Sequence, residues 1–171
     1  MELKTRTIFN LLGPLTNPAG ADRQVIGVFD STRAEDLAKV LTHLRTKHAF
    51  VVAGLDGLDE LTLDGPSLVA ESKDGVVKTY EITPEEVGLN ASSKDALVGG
   101  DAETNARILR SILEREAGPK RDIVAFNSAA ALMAGGVASD WKSGIEAAQT
   151  SIDSGAALKS LDEFIACTQK A

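Results

Sequence analysis

The chain has 171 residues, 43% of them hydrophobic and 25% charged, with a net charge of −7. That is enough for one domain with a core, and the composition is ordinary for a globular protein. No basic stripe offsets the acidic balance, no apolar run approaches a membrane span and no export signal is evident, so neither nucleic acid nor a membrane is expected as a partner. The single cysteine, Cys167, cannot form an internal disulfide, which suits a cytoplasmic protein.

Residues 5–12 (TRTIFNLL) read as one end of a helix, stopped by Gly13-Pro14, and Asn17-Pro18-Ala19-Gly20 extends a loop. QVIGVF (24–29) is a short apolar, β-branched run and reads as a buried strand, followed by a helix cap at Asp30-Ser31-Thr32. RAEDLAKVLTHLRT places Leu37, Val40, Leu41 and Leu44 at helical spacing, and AFVVAGL (49–55) is a second buried strand. Strand, helix and strand with short joints predict a parallel βαβ unit. ELTL, SLVAES and VVKTYEI follow as short runs, the last two forming a hairpin around Lys73-Asp74-Gly75.

From Asp101 the chain turns helical. AETNARILRSILERE sets Ala106, Ile108, Leu109, Ile112 and Leu113 near one face. A helix from Pro119 carries Ile123, Val124, Phe126, Ala130 and Leu132 and ends at Gly135-Gly136, and two more helices are expected near 139–153 and 155–169. The predicted fold class is α/β: a mostly parallel sheet with a β-hairpin, covered by a C-terminal helical layer.

Three stretches could carry chemistry. Arg6, near a helix end and a Gly-Pro loop, is either a bidentate carboxylate clamp or an ordinary surface arginine. In GLDGLDEL (54–61), three carboxylates (Asp56, Asp59 and Glu60) crowd a glycine-rich turn that begins as a strand ends, where ligands gather in open α/β sheets. Asp59-Glu60 would suit Mg²⁺, which takes one or two carboxylates and leaves room for phosphate oxygens; the alternative is an acidic surface turn. VGGDAETN (98–105) could bind an anion at a helix start, but Asp101 makes an ordinary N-cap, and the capping reading is preferred. His43 and His48 lack partners at metal-ligand spacing, Ser128 lies in no nucleophile elbow, Cys167 is expected to pack, and Trp141 is expected to cap the helical layer.

The string RTIFNLLGPLTNPA, continuing through QVIGVFD, VVAGLDGLDEL, YEITPEEVGL, GGDAETNARIL and DIVAFNSAAAL, closely resembles the anthranilate phosphoribosyltransferase family over essentially the whole chain. The resemblance implies transfer of a phosphoribosyl group from phosphoribosyl pyrophosphate to the amine of anthranilate in tryptophan biosynthesis, by Mg²⁺-dependent homodimers that share the large α/β domain of nucleoside phosphorylase-like enzymes. It assigns Arg6 to the anthranilate carboxylate, and Asp59 and Glu60 to the metal that bridges to pyrophosphate.

Two further family strings, the Gly-Thr-Gly-Gly-Asp phosphate loop and Lys-His-Gly-Asn-Arg, are not present. Gly99-Gly100-Asp101 and Lys47-His48 imitate them only in part. Residues 1–171 therefore read as a single partial α/β domain, the C-terminal half of the enzyme without its N-terminal helical domain. Such a chain is expected to be weak or inactive alone, an N-terminal half is a candidate partner, and the chain is expected either to dimerise along an unpaired edge at strand 24–29 or its neighbour or to rearrange locally. The rival readings are a non-catalytic binding or oligomerisation module and a nucleoside phosphorylase-like enzyme.

Overall fold

The computed structural model describes residues 13–169. The helix expected over 5–12, and Arg6 within it, lie outside the described residues. A 3-10 turn at Gly13–Leu15 leads to β1 (Arg23–Gly27), and a second at Ser31–Arg33 leads to α1 (Ala34–His43) and β2 (His48–Gly54). Next come β3 (Ser67–Lys73), β4 (Val76–Ile82), α2 (Ala102–Leu113), α3 (Pro119–Gly135), α4 (Trp141–Asp153) and α5 (Ala156–Thr168).

The start of α1 follows from local chemistry. The Asp30 carboxylate accepts from Thr32 N–H and from the Thr32 hydroxyl, closing the turn that precedes the helix. Leu37, Ala38 and Leu41 then bury one face of α1. β1 and β2 pair in parallel, from Arg23 opposite His48 to Gly27 opposite Val52, as the βαβ reading requires.

The sheet order is β1-β2-β3-β4, and only the first pairing is parallel; β2–β3 and β3–β4 are antiparallel. Among the described residues the sheet is thus mixed, not mostly parallel. The reason lies in the connection: residues 55–66 contain no helix to carry the chain back to the starting end of the sheet, so β3 returns alongside β2. The hairpin is the one expected, its loop being Asp74-Gly75 with φ of 50° and 83°. Positive φ at both central positions is the type I′ pattern that matches strand twist.

Every residue of β2 is buried, because both faces of the sheet are covered. Ala49, Val51 and Ala53 join Ile26, Leu37, Leu41 and Ala70 under α1. Phe50 and Val52 face the other way, into a larger core with Leu61, Leu63, Val69, Phe126, Ala129, Met133 and Ile145, beneath α3 and α4. Trp141 belongs to this layer: its ring meets Phe50 and Phe126 edge-on at 5.6 and 5.7 Å, and its indole N–H donates to the Tyr80 hydroxyl. It fills the seam between sheet and helices and does not cap the helical layer. α3 and α4 approach so closely that a Cβ on Gly144 would lie 2.8 Å from the Ala129 Cβ. The Arg23 guanidinium donates to the Ala134 carbonyl at the C-terminal end of α3, where a cation suits the helix dipole.

The outer helices are less buried than their sequences suggest. In α2 only Ile112 is buried, and Leu109 is 45% exposed. α5 buries no residue, and Cys167 is exposed there, not packed. No helix among the described residues is long and apolar enough to cross a membrane.

Two measurements check this packing. Gly144→Val forces α3 and α4 apart and should lower unfolding free energy by about 1–3 kcal/mol in urea titration, the usual cost of overpacking. Tyr80 is the chain's one tyrosine, and burial pushes its hydroxyl up to about 12, outweighing the indole hydrogen bond that pulls it down. Folding favours the neutral phenol. The stability it contributes is full below the ordinary tyrosine range near pH 10 and is lost as pH rises from there toward 12. Tyrosinate absorbance of the folded chain should accordingly appear well above pH 10.

Candidate active site

The connection from β2 to β3, residues 55–66, is built by side chains that bond to its own backbone. Asp56 Oδ1 accepts from Leu58 N–H, and Asp56 Oδ2 accepts from the Thr62 hydroxyl at 3.1 Å. Thr62 Oγ1 in turn accepts from Asp64 N–H, and Ser67 Oγ accepts from Thr62 N–H. Lys94 braces the outside, its Nζ donating to the Asp56 carbonyl and its N–H to Asp64 Oδ2. Asp56, one of the three carboxylates that the sequence groups together, is therefore occupied in holding the loop's shape.

Asp59 and Glu60 behave differently. Both are exposed, and neither side chain takes a hydrogen bond or an ion pair among the described residues. Partial desolvation pushes the Glu60 carboxyl above its ordinary range, and the charge of Asp59 beside it pushes the same way. Two adjacent carboxylates without partners among the described residues are a donor set suited to a hard divalent cation. Among the described residues there is no cluster of three or more such side chains. The donor set therefore fits an ion that completes its shell with water and phosphate oxygens, and does not fit an all-protein cage.

The couplet is pinned at the carboxyl ends of the parallel pair. A Cβ on Gly27, the last residue of β1, would lie 1.7 Å from the Asp59 carbonyl oxygen, so only glycine admits this approach. On the other side, Leu61 is fully buried, and Asn127 of α3 clasps its peptide groups. Asn127 Oδ1 accepts from Leu61 N–H at 3.0 Å, and Asn127 Nδ2 donates to the Leu61 carbonyl at 3.0 Å. The described end of the Arg6 motif reaches the same region: Pro14 and Leu15 line a small cavity together with Gly27 and Leu37.

The look-alike segments have structural work. Asp101 Oδ1 accepts from Thr104 N–H as the N-cap of α2, and Gly100 N–H donates to Asn105 Oδ1. Lys47 pairs with Asp22, and the ring of the buried His48 bonds to Glu71 at 2.8 Å. The sequence reading missed Asn127. Its signal was a polar residue directly after Phe126, in a helix that buries Ala130 and Ala134 one and two turns on.

Comparison with known proteins agrees with the resemblance. The family model described as glycosyl transferase family, a/b domain, matches residues 1–158. Anthranilate phosphoribosyltransferase of Rhodopseudomonas palustris (strain BisB5) is 54% identical over 168 residues, which are 98% of this chain and 50% of that protein. The enzyme of that name from Nitrobacter hamburgensis is 51% identical over 97% of this chain and 49% of its own length. The chain thus spans about half the length of the curated relatives it matches.

Among solved structures, anthranilate phosphoribosyltransferase from Thermus thermophilus superposes with a TM-score of 0.86 at 42% identity, covering 96% of this chain and 48% of that one. The Saccharomyces cerevisiae enzyme in complex with PRPP and Mg superposes with a TM-score of 0.87 at 29% identity, covering 98% of this chain and 48% of that one. The same yeast enzyme is also known in complex with 4-fluoroanthranilate. By its family match, its identity to these proteins and its fold, the chain belongs to the glycosyl transferase family through that family's a/b domain, and its relatives there are anthranilate phosphoribosyltransferases.

Proposed function

We propose that this chain supplies the metal-binding and aromatic-acid-binding half of an anthranilate phosphoribosyltransferase of cytoplasmic tryptophan biosynthesis. In that reaction the anthranilate nitrogen bonds to ribose C1 of phosphoribosyl pyrophosphate, the C1–O bond to pyrophosphate breaks, and the amine proton passes to solvent. What supports the reading is the seating of the Asp59–Glu60 couplet at the carboxyl ends of β1 and β2, in a chain more than half identical to an enzyme of that name.

Asp59 and Glu60 would hold Mg²⁺ and leave its remaining positions to water and pyrophosphate oxygens. When bound there, Mg²⁺ neutralises the charge that develops on the departing pyrophosphate. Arg6 grips the anthranilate carboxylate through two parallel guanidinium N–H groups. An aromatic amine is already uncharged near neutral pH, so the clamp contributes by holding the nitrogen close to C1, and no covalent nucleophile is needed. The partner segment, corresponding to the other half of the relatives, would bring the phosphate-binding loop and the helical domain. Residues 1–171 are thereby one part of a larger α/β domain.

Anthranilate consumption by the 171-residue polypeptide alone should stay near background and should rise when a separately expressed segment covering the other half of a relative is added. In that restored enzyme, Asp59→Asn with Glu60→Gln should lower kcat by about 10²–10³-fold, the scale of a lost electrostatic stabiliser. Arg6→Ala should raise KM for anthranilate by about 10–100-fold, as for a charge-assisted hydrogen-bonded pair. Ordinary turnover by the chain alone, or an Arg6→Ala enzyme with unchanged KM, would refute the assignment.

We also propose homo-oligomerisation through β1, which pairs only with β2 among the described residues and so offers its outer edge to another strand. Sedimentation velocity should find a dimer or larger species, and a monodisperse monomer would overturn this.

A further inference from the structure

We propose that Asn127 is a positioning residue for the Asp59–Glu60 couplet; the inference rests on the metal-binding reading above. The carboxylates stand on a stretch held on both sides. Upstream, the Asp59 carbonyl presses on Gly27. Downstream, the residue after Glu60 is held by Asn127 through both of its backbone groups, at 3.0 Å each. The Asn127 amide also donates to the Ile123 carbonyl one turn back in α3, at 3.1 Å, so its plane is set by the helix and not by the loop. An amide is the side chain for this task, since it carries a donor and an acceptor in one plane and can satisfy an N–H and a C=O of the same residue.

The consequence reaches the carboxylates through the backbone. Without Asn127, Leu61 remains buried in the core, but its N–H and C=O lose their partners and must turn to find others. That turn rotates the adjoining Glu60 peptide and changes the bite between two carboxylates that must meet one ion. Asn127 touches neither metal nor substrate in this scheme, and acts as groups behind metal ligands act, by orienting them. Loss of such a group typically weakens metal affinity by about 10–100-fold.

The test measures Mn²⁺ affinity in the presence of pyrophosphate, by water-proton relaxation on the 171-residue chain, with the fold checked by circular dichroism and urea titration. Asn127→Ala should weaken Mn²⁺ binding by at least about 10-fold. Asn127→Ser, whose hydroxyl keeps the bond to Ile123 and gives up both to Leu61, should do the same and decides the matter if the alanine variant does not fold. Leu41→Ala, which opens a cavity under α1 on the opposite face of the sheet, should bind Mn²⁺ like the parent, which separates positioning from mere loss of stability. Asp59→Asn with Glu60→Gln should abolish binding. If it does so while the Asn127 variants keep the parent's affinity, the positioning role is wrong and the metal reading stands. If that double variant binds no differently from the parent, the metal reading falls and takes this inference with it.

Discussion

The arrangement of the site depends on a side chain that is absent. Gly27 ends β1, and its bare Cα is what the Asp59 carbonyl rests against. Any Cβ there would drive the β2–β3 connection off the sheet, and with it the exposed couplet. Glycine in a strand weakens the strand by roughly 0.5–1 kcal/mol. Here that cost is offset by the burial the close approach permits, since Leu61 and Leu63 enter the core fully just downstream. Folding energy and site geometry are thus set by one contact, and neither can be changed alone.

That contact in turn needs a sheet that does not move. β2 meets this need because it is packed from both sides, by α1 on one face and by α3 and α4 on the other. The chain leaves β2 at Gly54 from a strand with no freedom to shift, and every loop-bracing bond counts from that fixed origin. Asn127 ties the same loop to α3, so the helix that covers the sheet also fixes what emerges from its end. The couplet is consequently referenced to two elements that are themselves locked together through Phe50, Phe126 and Trp141.

Much of this was legible in the sequence because it is written in local chemistry. The βαβ unit, the Asp30 turn, the Asp74-Gly75 hairpin, the Asp101 cap and the glycine stop after α3 each follow from a few neighbouring residues. What was not legible is written across the chain. The two antiparallel pairings depend on a connection without a helix, and the run ELTL, strand-like in composition, instead lies within that connection, with Leu61, Thr62 and Leu63 buried. Asp56 reads like Asp59 and Glu60 in sequence, and only the positions of Leu58 and Thr62 reveal that it serves the loop. Asn127 and Leu61 lie 66 residues apart, so no pattern within either segment could announce their pairing. Cys167 was expected to pack and Trp141 to cap the helical layer, but a residue's type and its helix do not say what lies opposite it.

α5 presents the opposite case to β2. None of its residues is fully buried, and Phe164 and Ile165 lie on its exposed surface. One cross-helix link to it, from Arg110 to Asp162, lies at the surface, where salt screens it and it adds at most about 1 kcal/mol. The molecule therefore has graded cohesion: a final helix that can peel away with little loss, fastened to a sheet-and-helix body that must melt as a unit. Protease nicking or amide exchange would enter from that end long before the interior opened. The carboxylate couplet, moored to β1 and α3 and not to this loose tail, would be among the last features to lose its shape.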